Sequence, residues 1–521
     1  MIEFELNGEN VEVRDDGASL LEVLRDRLRV LSPKDGCSPQ GQCGCCTVWV
    51  DGKARVACVT PAKRIAGRQV TTVEGLGEAD SWADAFCAAG ASQCGFCTPG
   101  IIMRLAALPV ESQVDADSVD KALIAHLCRC TGWKPVVDAC VDRRELATSV
   151  RDRDFAAASQ RAELEGGTPQ TVGPEVALGR GGFADDLAPE DALVAMRGEE
   201  GTWVIGETLT EARLAAGKIQ GRRTTASLTW PIEPPQGEWA RTLQTTWIEP
   251  AYLEPDSAWC EPGGEPASPL GNGGAFGGKC HSDVAEVART LAETHGRSVR
   301  VIMTREDTVR SGPKRPPIAA GVRVDGSGII RLARPGSGSS EARIRSTIEA
   351  VAPRVDVEFV DVTGPGVSDS FRAVGWAEAL ILLSGLRGRP DRVVAPNGAS
   401  AEASIGEQSG EDVLSVSVRC GEILDDVVLR SYCTGAAHMA LGWVHSEALV
   451  VGSDGMPLDL TIRSFGILRA AETPRIEIIL EPDDGPPLNG SDAVFAAVAA
   501  AAWREDGYSP RWPVTAAAHE F

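Results

Sequence analysis

Ten residues constrain this chain more than any others: Cys37-Ser-Pro-Gln-Gly-Gln-Cys43-Gly-Cys-Cys46, with Cys58 after a further short stretch. Three spaced thiols closed by a fourth make a cage of soft ligands. Soft thiolates select iron–sulfur clusters, zinc or Cu(I) over hard cations. Plant-type [2Fe–2S] sites run Cys-x4-Cys-x2-Cys and then a distant Cys; here the order is Cys-x5-Cys-x2-Cys-x11-Cys. The spacing favours iron, with one extra residue for a loop to absorb. Gly36, Gly41 and Gly44 suit a tightly bent backbone whose N–H groups face sulfur. Cys45, the odd thiol, reads as a buried neighbour and not a ligand.

The chain has 521 residues, too many for one ordinary domain; roughly two to four are expected. A net charge of −23 argues against nucleic acid, whose backbone needs Lys/Arg stripes, and disfavours anionic lipid. The longest apolar run, Ala493 to Trp503, is too short and alanine-rich to span a bilayer. Met1-Ile-Glu-Phe-Glu-Leu carries acid where a signal peptide has basic residues, so a cytoplasmic location is expected. In that compartment 15 cysteines read as metal or redox chemistry, not disulfides. Ten of them lie between Cys37 and Cys130, which places the cofactors in the amino-terminal part.

Ile2, Phe4 and Leu6 alternate with acids before Asn7-Gly8, and Val11 and Val13 continue the alternation, predicting a hairpin. Ser19-Leu-Leu-Glu22 opens a helix through Leu24 and Leu28. After the cysteine loop, 47–50 and 56–58 read as strands joined by Asp51-Gly52. This is the ferredoxin-like β-grasp order, assigned to residues 1–76.

Residues 77–150 form a second, all-helical domain. Cys94-Gly-Phe-Cys97 leads through Pro99, a first-turn proline, into a helical run from Ile101. A second run, Asp120 to His126, delivers Cys128-Arg-Cys130, and Gly132 fits a left-handed position just past a helix. Four thiols meet at these ends. A structural zinc site competes with a second [2Fe–2S] cluster, but zinc pairs are usually Cys-x2–4-Cys, which makes Cys-x-Cys awkward. Cys87 and Cys140 read as inert buried thiols.

GCSPQGQCGCCTVWVDG (36–52), VTTVEGL (70–76), SQCGFCTPGIIM (92–103) and LCRCTGW (127–133) together resemble the two-cluster iron–sulfur domain of the xanthine dehydrogenase/aldehyde oxidase family of molybdenum hydroxylases. The resemblance implies that Cys94, Cys97, Cys128 and Cys130 hold a cluster beside molybdopterin. It implies that Cys37, Cys43, Cys46 and Cys58 hold one further out, towards flavin or another acceptor. Gln93 would sit near the pterin.

Residues 151–178 are polar and broken by glycine and proline, and read as a linker. Residues 179–521 read as a mixed α+β region, with an amphipathic helix from Val284 to His295. Gly273-Gly-Ala-Phe-Gly-Gly-Lys279-Cys280 meets the glycine–lysine spacing of a P-loop, but Cys280 replaces the Mg²⁺-binding hydroxyl and no apolar strand precedes it. The segment instead resembles a loop of the family's molybdenum-binding subunit. GRGGFADD (179–186), TTWIEPAYLEPDSAWCEP (245–262), VRVIMTREDTVRSGPKRPP (299–317), SFRAVGWAEA (370–379) and HMALGWVHSEALVVGSDGMPLDLT (438–461) resemble other parts of that subunit in order, with Arg372 at a substrate-side arginine. The family's catalytic Glu, in a Gly-x-Gly-Glu word before an alanine-rich helix, has no counterpart in Pro486 to Ser491 before the helix of Asp492 to Trp503. The region is also short for the family. Glu407 reads as a solvated loop residue, and Glu254 and Glu261 as surface or structural.

The expectation is an α+β chain of four parts: a β-grasp domain (1–76), a helical domain (77–150), a linker (151–178) and a degenerate molybdopterin-subunit-like region (179–521). Two [2Fe–2S] clusters carry electrons from molybdopterin on a partner large subunit, the carboxyl-terminal half serves as docking scaffold, and FAD on a medium subunit is a candidate acceptor. No catalytic residue is assigned to this chain. A self-sufficient hydroxylase with its own molybdopterin is the alternative, and a scaffold whose clusters only stabilise the fold is a third.

Overall fold

The computed structural model describes residues 1–150, 153–198, 201–217, 223–267, 274, 276–279, 282–387, 392–408 and 410–515. Gly273, Ala275 and Cys280 of the glycine-rich loop lie outside these.

The amino-terminal sheet has five strands in the order Glu9–Val13, Ile2–Leu6, Gln69–Thr71, Thr47–Val50, Lys53–Val56. The first hairpin pairs Ile2 with Val13 and Leu6 with Glu9, so Ile2, Phe4 and Leu6 share the buried face, as period-two alternation requires. Ser19 caps the next helix, accepting from the Glu22 N–H at 3.2 Å. Only Leu20–Glu22 is α-helical, and Val23–Arg27 widens into a π-turn. The strand expected at 56–58 ends at Val56, and Ala57–Val59 is a 3₁₀ turn. The turn aims the Cys58 N–H at the Cys46 sulfur, 3.5 Å away, which a continued strand would not do.

Helices Ala79–Ala89, Thr98–Ala106, Ala116–Leu123 and Lys134–Val141 form the second unit. The run expected from Asp120 to His126 starts earlier, at Ala116, where Asp115 caps it through the Ser118 N–H at 3.1 Å. Gly132 does adopt φ +65°, but it precedes a helix instead of ending one. A Cβ there would stand 2.7 Å from the Thr434 carbonyl, so close packing on the helix Asp426–His445 also demands glycine.

The described part of the expected linker, residues 153–178, is not structureless. Phe155–Gly166 is a helix, capped by Asp154 and closed by Gly167 at φ +70°; Pro174–Ala177 is a second turn of helix. Arg161 and Glu165 are fully buried.

Three four-stranded sheets build the rest. Their strand orders are Trp203–Gly206, Leu193–Arg197, Val299–Ile302, Ser257–Cys260; then Val355–Val360, Gly328–Ala333, Ile318–Val322, Arg241–Gln244; and Val393–Val394, Ser400–Gln408, Glu411–Arg419, Arg475–Leu480. The amphipathic helix is present as Val284–His295, and the last helix is Ser491–Glu505. Glu407 lies exposed on a strand, not in a loop. The architecture is thus mixed α+β.

The halves share one core. Residues of the β-grasp and helical units pack with Trp247, Leu253, Leu449, Ile462 and Phe465. Ion pairs reinforce the junction: Arg25 with Asp185 (2.7 Å) and Asp186 (2.8 Å), Arg300 with Asp26 (2.9 Å), Arg213 with Asp35 (2.7 Å), Arg153 with Asp425 (2.7 Å).

Candidate functional site

The first four predicted thiols come together. Cys37 shares hydrogen bonds with Cys43 and Cys58, and Cys58 also with Cys46. Cys37 is held well below the usual thiol range by donors on Cys43 and Cys58, whereas Cys43 and Cys58 are pushed up by donating to it. All four are buried, and such crowding of sulfur is what a metal cluster relieves. The backbone turns N–H groups inward: Gln42 donates to the Cys37 sulfur at 3.4 Å. Space is tight at Gly36, where a Cβ would lie 3.1 Å from the Cys43 sulfur and 3.2 Å from that of Cys45.

The second four assemble at the ends of the helical unit. Cys128 shares hydrogen bonds with Cys130 and Cys97, and Cys130 with Cys94; the Cys94 and Cys130 sulfurs are 3.8 Å apart. Cys128 is held low by Cys130 and Cys97, while Cys97 and Cys130 are pushed up. The Thr131 hydroxyl lies 3.2 Å from the Cys128 sulfur. Cys94 alone among the eight is partly exposed. It faces a polar cleft of about 260 Å³ that Gln93, Ser159, Gln160, Glu163 and Gln170 also line.

Among the described residues no three Cys, His, Asp or Glu side chains surround a single-ion position. A structural zinc ion takes four ligands about one point, whereas a two-iron cluster spreads its four thiolates over two metals. The donor chemistry and the burial fit two such clusters.

Cys45 is fully buried. Gln93 is buried too: its Nε2 donates to the Cys130 carbonyl and the Ser431 hydroxyl, each at 3.0 Å, and its Oε1 has no protein partner among the described residues. Arg129, between two of the thiols, makes a bidentate pair with Glu447 at 2.5 and 2.7 Å. Both side chains are buried. Sequence reasoning passed over Arg129, although a charge between two predicted ligands needs a partner when buried.

Two of the segments that resemble a molybdenum-binding subunit, the glycine-rich loop through Phe276 and Lys279 and 370–379 through Arg372, meet at an open cleft of about 410 Å³ that Glu165, Asn489 and Asp492 also line. Arg372 stacks 3.9 Å from the Phe276 ring centroid, donates to Asp492 at 2.9 Å and to the Ser491 hydroxyl at 2.9 Å. Burial raises Asp492 against the lowering effect of Arg372. Lys279 pairs with Glu254, whose carboxyl burial pushes up to about 7. Glu254 is therefore a buried structural partner, and Glu261 is exposed. Glu165 accepts from the Gly490 and Ser491 N–H groups at 3.0 and 2.9 Å. It pins the start of the last helix from a segment expected to be linker. Asp154 and Gly167 were the available signals, a cap at each end of a helix.

Residues 72–141 match the family described as "[2Fe-2S] binding domain". The isoquinoline 1-oxidoreductase subunit alpha of Brevundimonas diminuta is 43% identical over 142 residues, 26% of this chain and 92% of that protein. The xanthine dehydrogenase iron-sulfur-binding subunit of Escherichia coli O157:H7 is 39% identical over 132 residues, 24% of this chain and 82% of that one. The aldehyde oxidoreductase of Megalodesulfovibrio gigas is 43% identical over 136 residues, and the match spans only 15% of its length. Among solved structures, aldehyde oxidoreductase from Desulfovibrio gigas superposes with a TM-score of 0.69 over 96% of this chain and 97% of that one, at 15% identity. That last likeness concerns the fold. Two sulfur cages, a matched iron–sulfur domain and relatives aligned over most of their length place this chain in the xanthine dehydrogenase/aldehyde oxidoreductase family of molybdenum hydroxylases.

Proposed function

We propose that this chain is the electron-transfer component of a molybdenum hydroxylase, relaying electrons from a molybdopterin on a partner large subunit to a flavin on a medium subunit or to another acceptor. The observation that carries it is the pair of buried four-thiol groups. In this reading Cys37, Cys43, Cys46 and Cys58 hold one [2Fe–2S] cluster, and Cys94, Cys97, Cys128 and Cys130 hold the other. Bound there, each cluster supplies one-electron redox chemistry. The Gln42 and Cys58 N–H groups and the Thr131 hydroxyl direct hydrogen bonds at sulfur, and such bonds set a cluster's potential. The orphan Oε1 of Gln93 is an acceptor suited to a pterin donor. Residues 179–521 hold the clusters in place and dock the partner.

The 410 Å³ cleft supports this division of labour. Its two cations, Lys279 and Arg372, are each paired with a carboxylate of this chain, Glu254 and Asp492. The cleft also motivates the second reading, a self-sufficient enzyme. Asp492 stands just past the word that lacks the family's Glu and would serve as the general base, a role contributing about 10²–10⁴ in rate.

Metal analysis of the purified full chain separates them. The relay reading expects iron near four per chain, as two two-iron clusters require, no molybdenum, and a large subunit retained when the chain is isolated from its source. Stoichiometric molybdenum in the isolated chain, with activity lost in Asp492→Asn, would establish the second reading instead. Zinc in place of iron would overturn both.

A further inference from the structure

Two arginines of the carboxyl-terminal half reach into the outer thiol loop. Arg305 donates from Nη2 to the Gly36 carbonyl at 2.6 Å and to that of Leu253 at 2.8 Å. Arg463 donates from Nε to the Gln42 carbonyl at 2.9 Å and from Nη2 to that of Ile124 at 3.3 Å. Each guanidinium therefore holds the residue immediately before a proposed ligand, Cys37 in one case and Cys43 in the other.

Among the described residues no carboxylate bonds to either guanidinium; their acceptors are backbone carbonyls. Arg305 is fully buried, and its Nε and Nη1 have no hydrogen-bond partner there. Burying an unpaired charge is costly, so an anion should face it. The nearby carboxylates have other partners: Asp35 pairs with Arg213 at 2.7 Å, Asp256 accepts from the Tyr252 hydroxyl at 2.9 Å, and Glu306 accepts from Gln40 at 3.1 Å. What lies beside the two arginines is sulfur. A Cβ on Gly36 would stand 3.1 Å from the Cys43 sulfur. Burial and the neighbouring Arg469 lower Arg463, whereas negative charge on Cys43 and Cys37 raises it. The peptide that Arg463 holds also carries the Cys43 N–H, which, after the Cys43 and Cys58 thiols and the Gln42 N–H, helps keep Cys37 low. A cation on the carbonyl polarises that peptide and strengthens its N–H as a donor. The inner loop differs, since its own Arg129 is neutralised by Glu447.

Resting on the relay reading above, we propose that Arg305 and Arg463 are the counter-charges of the outer cluster site, lent to it by the carboxyl-terminal half, and that they raise its reduction potential. The sign follows from charge. A two-iron cluster on four thiolates is anionic and takes on one more negative charge when it is reduced, so a fixed cation stabilises the reduced form more than the oxidised one. The redox step itself is unchanged: one electron enters the outer site, the inner site is oxidised, and no bond breaks.

The test is a potentiometric titration of the full-length, iron-loaded protein, read by electron paramagnetic resonance, with the outer signal identified as the one that Cys43→Ser removes. Arg305→Gln keeps a donor for the two carbonyls and loses the charge. It should retain iron and both signals, shift the reduction equilibrium of the outer site at least tenfold towards the oxidised form, about 59 mV for one electron, and leave the inner midpoint in place. Arg305→Lys should restore most of that shift. Arg463→Gln should move the same midpoint in the same direction by a few-fold. Because Arg463 is exposed, its effect should shrink in high salt, and this variant decides the matter if Arg305→Gln does not assemble. Wild-type outer midpoints in the assembled glutamine variants would overturn the proposal while leaving the relay intact, as would equal shifts at both sites or a lysine variant no better than glutamine. Wild-type protein without two signals would instead overturn the relay reading, and the counter-charges with it.

Discussion

The eight proposed ligands share their residue type with neighbours such as Cys45, and each position has its own expected signature. Cys43→Ser should bring iron from about four to about two per chain and remove one of two cluster signals; unchanged iron would strike Cys43 from the ligand set. Cys45→Ser should change neither. That Cys37, Cys43, Cys46 and Cys58 gather, and that Cys45 is buried beside them, was legible in the sequence because ligand geometry limits which spacings work. His438 makes a different prediction. Burial, aided by the nearby Arg129 charge, pushes it down to about 4, so the folded chain refuses a proton that the unfolded chain accepts near pH 6.5. Stability attributable to this group is full above pH 6.5 and declines as pH falls towards 4, by about 3 kcal/mol in all. Urea midpoints at pH 7, 5.5 and 4.5 should show a flatter dependence for His438→Gln than for wild type.

Elements are joined here by buried charge. Arg129 and Glu447 tie the inner thiol loop to the end of the helix Asp426–His445. Removing one partner of a buried pair strands the other, at a cost of about 3–5 kcal/mol. Glu447→Gln should therefore destabilise by that order in chemical denaturation, and an Arg129→Met/Glu447→Met double variant should recover part of the loss. A full-sized loss retained in the double variant would mean that packing, not charge, dominates. Glu165→Ala should cost about 1–3 kcal/mol by stranding the Gly490 and Ser491 amides. The helix that carries Glu165 was not legible in the sequence, for a physical reason. Its buried stripe is alanine with one arginine and one glutamate, so polarity along the segment does not distinguish solvated from buried faces. The strand assigned at 56–58 failed because a sulfur acceptor turned the chain. The helix Val284–His295, with an ordinary amphipathic stripe, was legible without help.

At the scale of the whole molecule, the amino-terminal units are embedded in the carboxyl-terminal half. Arg305 donates to the Gly36 and Leu253 carbonyls at 2.6 and 2.8 Å, and Gln40 to Glu306 at 3.1 Å. Among the described residues no helix is long and apolar enough to cross a membrane. Sequence conveyed the order of the parts but not that they interlock, because ion pairs such as Arg25–Asp186 and Arg300–Asp26 join residues far apart in the chain and leave no local pattern. Enclosure of the thiols fixes an order of biogenesis. Seven of the eight sulfurs are buried, so on the proposed ligand set metal and sulfide would have to arrive while the carboxyl-terminal half is still open. Chain allowed to close empty should stay empty when offered iron and sulfide in native buffer, and should fill only after denaturant reopens it.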